Sequence, residues 1–198
     1  LLREYPGTTI VTDSITSTGL AQFIAKRGGV HHRFKRGYRN VIDEAIRLNN
    51  EGHDCQLAME TSGHGAFKEN YFLDDGAYIV TKLLIELARG KKEGYKLESL
   101  IADLAEPAES KEFRFNILQD DFKSYGQEVL DKMQAYAEAQ DGWSIAPNNY
   151  EGVRVNLDQA HGNGWFLLRM SLHDPLMPLN IESDSEGGVK IIAAELAK

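Results

Sequence analysis

Three short strand-like runs separated by helix-patterned segments constrain the first half of the chain more than any other feature. Thr8-Thr9-Ile10-Val11-Thr12-Asp13 is rich in β-branched residues and bounded by Pro6-Gly7, which predicts a strand. Ser17 stands where a helix over Thr18–Arg27 needs a cap, with Leu20, Phe23 and Ile24 as its apolar stripe and Gly28-Gly29 as its stop. Val30–Phe34 predicts a second strand, and Asn40 predicts the cap of a helix over Val41–Asn49 that turns Val41, Ala45, Ile46 and Leu48 inward. Gln56–Met59 predicts a third strand, ending at Glu60. Asp74-Asp75-Gly76 opens a long helix, Ala77–Arg89, with Ile79, Val80, Leu83, Leu84 and Leu87 at helical spacing. Strands alternating with helices imply α/β architecture, a mainly parallel sheet with helices on both faces. In such sheets ligands sit beyond the carboxyl ends of the strands, where Glu60 falls.

After Gly94 the pattern changes. Leu97–Leu104 reads as a short helix and Ala105–Ser110 as a polar, proline-containing linker. From Lys111 onward Phe113, Phe115 and Ile117 alternate as a strand, and a helix over Gly126–Ala139 carries Val129, Leu130, Met133 and Tyr136 on one face. Gly152–Leu157, Trp165–Met170 and Leu179–Glu182 predict three further strands. Ser183-Asp184-Ser185-Glu186 has the form of a capping box before a closing helix, Gly187–Ala197. The expectation is two small domains, 1–104 and 111–198 with linker 105–110, the second being α+β with an antiparallel sheet.

Composition narrows the partners. With 198 residues and a net charge of −8, the chain lacks the basic balance of a general nucleic-acid surface. No apolar run approaches the roughly 20 residues that span a bilayer. No nucleic-acid or membrane partner is therefore expected. The lone Cys55 makes no internal disulfide and suits a reducing, cytoplasmic setting. The opening Leu1-Leu2-Arg3-Glu4-Tyr5-Pro6 lacks an initiator Met and reads as the start of a fragment. The six histidines show no metal-ligand spacing, so no metal site is expected in the chain. Asp120-Asp121 reads as a turn and Gly162-Asn163-Gly164 as a hairpin turn. An anionic small substrate would need local positive charge, for which Arg33, Lys35, Arg36 and Arg39, and separately Arg169 with His173, are the candidates.

Two stretches carry recognisable chemistry. In Met59-Glu60-Thr61-Ser62-Gly63-His64 a carboxylate can accept hydrogen bonds from adjacent hydroxyls, a serine can donate or accept, and a glycine lets the backbone turn close to a ligand. In Leu168-Arg169-Met170-Ser171-Leu172-His173-Asp174-Pro175 an arginine offers the planar fork that binds phosphate. The alternative reading makes Glu60 a strand-end charge, His64 a loop packing residue, Arg169 a surface ion pair and His173 a loop histidine.

Together the two stretches resemble the sugar-recognition loop (G-E-x-S-G-H) and the phosphate-binding loop (R-x-S-x-T-E-P) of the phosphohexomutases, the phosphoglucomutase/phosphomannomutase superfamily. The resemblance covers the whole chain and implies its third domain and its C-terminal, TATA-binding-protein-like domain. It implies that Glu60, Ser62, Gly63 and His64 recognise sugar hydroxyls, and that Arg169, Ser171 and His173 bind the phosphate that is not transferred. Arg39, in Arg36-Gly37-Tyr38-Arg39, and Lys68 are further substrate-facing candidates, with a helix-start arginine and a solvated lysine as the alternatives. The chain departs from the pattern at Met59, which precedes Glu60 where the family more often has glycine, and at Leu172, His173 and Asp174. Neither a T-A-S-H-N-P-like phosphoserine loop nor a D-G-D-G-D-R-like magnesium loop occurs. The resemblance therefore implies the C-terminal half of an enzyme that interconverts hexose 1-phosphate and hexose 6-phosphate, with hexose 1,6-bisphosphate as intermediate and magnesium and phosphoserine in upstream domains. A noncatalytic sugar-phosphate-binding module is the alternative.

Overall fold

A computed structural model of the chain describes residues 1–171 and 174–197. It divides into two compact units, Leu1–Ala105 and Glu106–Lys198.

The first unit is built on β1 (Thr9–Thr12), β2 (Val30–Arg33), β3 (Cys55–Met59) and β4 (Gly65–Phe67), in the order β2-β1-β3-β4. β2, β1 and β3 are parallel, as the alternating pattern implies, while β4 folds back antiparallel on β3 with Met59 opposite Gly65. Three residues beginning with a glycine are too few to show strand periodicity, so β4 has no sequence signature. The helices are α1 (Thr18–Lys26), α2 (Tyr38–Asn50) and α3 (Gly76–Glu93). Ser17 caps α1, its hydroxyl accepting from the Gly19 N–H at 3.1 Å.

α2 begins earlier than expected. Gly37, at φ +112°, precedes it, and Asn40 lies inside the first turn with its amide donating back to the Arg36 carbonyl. One face of the sheet buries Val11, Ala58 and Ala66 against Val41, Ile42, Ala45 and Leu48 of α2. Ile46 is 37% exposed, contrary to expectation. At 3.6 residues per turn it lies about 140° around the helix from Val41, and Ile42 packs inward in its place. On the other face Ile10, Leu57 and Met59 meet Leu20, Phe23 and Ile24 of α1 and Leu83 of α3 around a cavity of about 530 Å³. Val80, Leu84 and Leu87 of α3 stay half exposed although their spacing is that of a core helix.

Glu44 of α2 is a buried acid, 4% exposed, and its carboxylate accepts from Arg47 at 2.7 and 2.8 Å while the His32 ring meets it at 2.8 Å. The hydrogen bond from Arg47 holds the Glu44 carboxyl below the usual range, against the opposing effect of burial. A depressed folded pKa stabilises above the unfolded value and is lost as pH falls through the folded one. We therefore expect Glu44→Gln to cost about 1 kcal/mol at pH 7, a small figure because Arg47 is half exposed and water screens its share. Chemical denaturation across pH should show that deficit shrinking in acid.

The second unit comprises β5 (Glu109–Asn116), α4 (Phe122–Glu138), β6 (Trp143–Ile145), β7 (Val153–Leu157), β8 (Gly164–Leu168), β9 (Leu176–Ser183) and α5 (Gly188–Glu195). All pairings in the sheet, ordered β5-β9-β8-β7-β6, are antiparallel. Val155, Leu157, Phe166, Leu168, Leu179 and Ile181 form the core with Leu130 of α4 and Ile192 of α5. β5 starts at Glu109, inside the expected linker, and β6 was not foreseen. Asp121 is the cap of α4, its carboxylate accepting from the Ser124 N–H at 3.1 Å, so α4 starts four residues before the predicted Gly126. No side chain of the Ser183–Glu186 stretch caps α5. Its N-terminus is met by the Glu109 carboxylate, which accepts from Gly187 N–H at 2.9 Å and Val189 N–H at 3.0 Å. A carboxylate there is favoured by the free N–H groups and the helix dipole, whichever strand supplies it. The β7–β8 connection is wider than a tight turn, running through a 3₁₀ turn at Gln159–His161.

Cys55 is fully buried at the start of β3, and burial raises its thiol to about 11. It should resist thiol reagents at pH 8 in the native protein and react on unfolding in urea; rapid labelling of native protein would contradict its placement.

Candidate functional site

The loop leaving β3 closes on itself before it meets any other element. The Glu60 N–H donates to the His64 carbonyl at 2.9 Å, and the Gly63 N–H donates to the Glu60 carbonyl at 2.9 Å. Gly63 takes φ +96°, a conformation that favours glycine, so the backbone reverses within four residues into β4. The Glu60 side chain is then only 7% exposed. One carboxylate oxygen accepts from the Gly37 N–H at 2.9 Å, with the Arg36 guanidinium 3.8 Å away. The other accepts from the Ser62 hydroxyl at 2.6 Å. Glu60 thus presents a fixed acceptor at the carboxyl end of a central strand, already shaped around a hydroxyl donor.

Asp13, at the end of β1, anchors this loop. It is wholly buried and accepts from Thr16 Oγ1 at 2.9 Å, Thr61 Oγ1 at 2.6 Å and the Thr61 N–H at 3.3 Å. His64 is oriented from two sides: its Nδ1 meets Asp74 Oδ2 at 2.7 Å, and its ring stacks on Tyr38 with centroids 5.0 Å apart. Asp74 also accepts from the Gly65 N–H at 3.3 Å. Asp13, Tyr38 and Asp74 are the residues that sequence reasoning missed. The pair Asp74-Asp75 reads as a helix start; Asp75 is the cap of α3, which leaves Asp74 free to meet His64.

The other basic candidates lie apart from this loop. Lys68 pairs with Asp54 at 3.0 Å, and Asp54 precedes β3 whereas Glu60 follows it. A strand of that length separates the two by roughly 20 Å. Arg39 is exposed on α2 and pairs with Asp43 at 3.6 Å. Of the cluster Arg33–Arg39, Arg36 is the member beside Glu60.

In the second unit Arg169 and Ser171 extend the β8–β9 hairpin beyond its regular ladder. The Arg169 N–H donates to the Pro178 carbonyl at 3.1 Å and the Ser171 N–H to the Leu176 carbonyl at 2.9 Å. Arg169 is 8% exposed, with its Nη1 3.7 Å from Glu151. The Ser171 hydroxyl accepts from the Asp174 N–H at 3.3 Å. His173 lies outside the described residues. Among the described residues no group of three or more His, Cys, Asp or Glu side chains is arranged to hold a metal ion.

Residues 1–107 match the family model described as phosphoglucomutase/phosphomannomutase, alpha/beta/alpha domain III, which is more than half of the chain. The chain belongs to the phosphoglucomutase/phosphomannomutase family. It is 28% identical over 193 residues to a phosphoglucomutase of Neisseria meningitidis, covering 97% of this chain and 38% of that protein. It is also 28% identical over 188 residues to a phosphomannomutase/phosphoglucomutase of Pseudomonas aeruginosa, covering 94% and 36%. A phosphoglucomutase/phosphomannomutase family protein of Burkholderia thailandensis, solved by crystallography, superposes over 99% of this chain and 38% of its own, with TM-score 0.76 and 27% identity. The chain thus spans less than two-fifths of the length of these relatives, and both units fall within the matched part.

The His64 contact fixes a tautomer. An ionised carboxylate only accepts, so Nδ1 carries the proton of the neutral imidazole and Nε2 its lone pair. Nitrogen-15 spectra of the chain should show His64 in the Nδ1–H form, and Asp74→Ala should shift it toward the Nε2–H form common in water. An unchanged spectrum would contradict the contact.

Proposed function

We propose that this chain is the part of a hexose-phosphate mutase that holds the sugar hydroxyls and the non-reacting phosphate. The fixed Glu60 carboxylate carries the reading. Its oxygens are engaged by a backbone N–H and by the Ser62 hydroxyl, so that adjacent hydroxyls of a hexose can be received without reorganising the loop. Ser62 then turns its hydroxyl to the sugar, and Gly63 leaves room for the ring. His64, its Nε2 directed by Asp74 and Tyr38, contacts the substrate or holds the loop edge. Arg169 and Ser171, with His173, receive the phosphate through charge-assisted hydrogen bonds. Lys68 and Arg39, paired elsewhere, are not needed by this reading.

The parent reaction in this proposal exchanges hexose 1-phosphate and hexose 6-phosphate. A sugar that must present either end to the reacting centre needs one hydroxyl clamp and one phosphate clamp that tolerate both orientations; the fixed Glu60 carboxylate supports the first role and the buried Arg169 the second. Phosphoserine and magnesium belong to the part of the relatives' length that this chain does not span. A fungal relative of the fold, the N-acetylphosphoglucosamine mutase of Aspergillus fumigatus (TM-score 0.61, 13% identity), has been solved in complex with GlcNAc-6P and magnesium. Among the described residues no helix is long and apolar enough to cross a membrane. Cytoplasmic placement is part of the proposal.

In the complete enzyme Arg169→Ala should weaken substrate binding by about 1.5–3 kcal/mol, roughly ten- to a hundredfold, as for a lost hydrogen bond to a charged group. Glu60→Gln should lower kcat/KM by at least tenfold without changing the melting temperature. The isolated 198-residue chain should show no turnover in a coupled glucose 6-phosphate assay. Wild-type kinetics in both variants, or Glu60-dependent turnover by the isolated chain, would overturn the reading.

A further inference from the structure

Arg169 is held from the β6–β7 side by a residue that the phosphate loop itself does not contain. The strand register places Gly152 opposite Arg169, one step beyond the last regular pair, Val153 with Leu168. At Gly152 the chains come so close that a Cβ would lie 2.1 Å from the Leu168 carbonyl oxygen and 2.8 Å from the Arg169 Cα, and the residue takes φ +61°. Glycine is required at 152 on both counts. The preceding residue, Glu151, is brought by that approach to the guanidinium, Oε1 to Nη1 at 3.7 Å, with both side chains about nine-tenths buried. The same turn is pinned by Asn149, whose side-chain oxygen accepts from the Arg154 N–H at 3.2 Å. Arg154 in turn lies 3.5 Å over the Trp165 ring on the neighbouring strand, and Trp165 Nε1 donates to Glu182 at 2.9 Å. The turn is therefore fixed to the sheet on both sides of Glu151.

We propose that Glu151 is a positioning residue for the phosphate clamp: its carboxylate holds the Arg169 guanidinium at one edge so that the fork is already oriented when phosphate arrives. This rests on the reading of Arg169 as a phosphate ligand. A buried, long, four-torsion side chain would otherwise lose rotamer freedom at the moment of binding, and a carboxylate partner removes that loss in advance. The carboxylate also carries a negative charge near the dianion, which opposes binding. The two effects act in opposite directions and can be separated by substitution.

Glucose 1,6-bisphosphate titrated into the 198-residue chain, followed by NMR, tests the proposal with the Arg169 Nε–Hε resonance as second readout. Glu151→Ala should weaken binding about tenfold and shift the Arg169 Hε signal from its parent position. Glu151→Gln, which keeps a carbonyl oxygen of the same reach against the guanidinium edge, should bind within threefold of the parent. Glu151→Asp, which keeps the charge but retracts it by one methylene, should weaken binding severalfold, and it decides the matter if the alanine variant fails to fold. Parent-like or tighter binding in both Glu151→Ala and Glu151→Asp, with Arg169→Ala abolishing binding, would overturn the role of Glu151 and leave the phosphate reading intact. Parent-like binding by Arg169→Ala would instead remove the phosphate reading and this proposal with it.

Discussion

The buried carboxylate of Asp13 is the constraint on which the candidate sugar loop depends. A carboxylate taken out of water is costly unless hydrogen bonds replace its hydration. Asp13 has them from Thr16 and from both the hydroxyl and the N–H of Thr61. Because Asp13 closes β1 and Thr61 follows Glu60, that demand ties the loop after β3 to the end of the neighbouring parallel strand. Glu60 is then held beside the start of α2, where the Gly37 N–H can reach it. The polar loop is as specified as the apolar core beneath it, because each buried acceptor has one arrangement of donors that satisfies it.

The two units position their candidate loops by different means. In the first, a parallel sheet delivers strand ends to one edge, and tight turns and helix starts supply the contacts: Gly37 and Tyr38 at the head of α2, Asp74 before α3. In the second, an antiparallel hairpin carries Arg169 and Ser171 past the end of its ladder, and a glycine approach brings an acid against the arginine. Parallel strands put ligands at their carboxyl edge by topology. Antiparallel hairpins do so by loop length and register, which leaves more of the burden on individual residues such as Gly152.

Much of this was legible in the sequence. The β-branched run at Thr8–Asp13, the Ser17 cap and the Phe113/Phe115/Ile117 alternation report local preferences, and local preferences persist when tertiary contacts agree with them. What was not legible has a common cause in long-range partners. Asp13 finds Thr61 far along the chain, Glu109 caps a helix that begins almost eighty residues later at Gly188, and Lys68 pairs with Asp54 at the wrong end of β3 for the sugar loop. The Ser183–Glu186 stretch has capping-box chemistry that Glu109 pre-empts. The half-exposed Val80, Leu84 and Leu87 show the converse, apolar spacing without a core to receive it in this unit. Glu60 and Arg169 stand out as candidates because their chemistry is written in contiguous loops, whereas the contacts of Tyr38, Asp74 and Glu151 come from elements distant in the chain.

If the two loops are the recognition elements of a hexose-phosphate mutase, each should respond to a hexose phosphate. Backbone amide shifts of the chain during titration with glucose 1,6-bisphosphate measure that directly. The predicted shifts concentrate at Glu60–His64 in the first unit and at Arg169–Ser171 in the second. Shifts confined to one loop, or spread over residues remote from both, would contradict that reading.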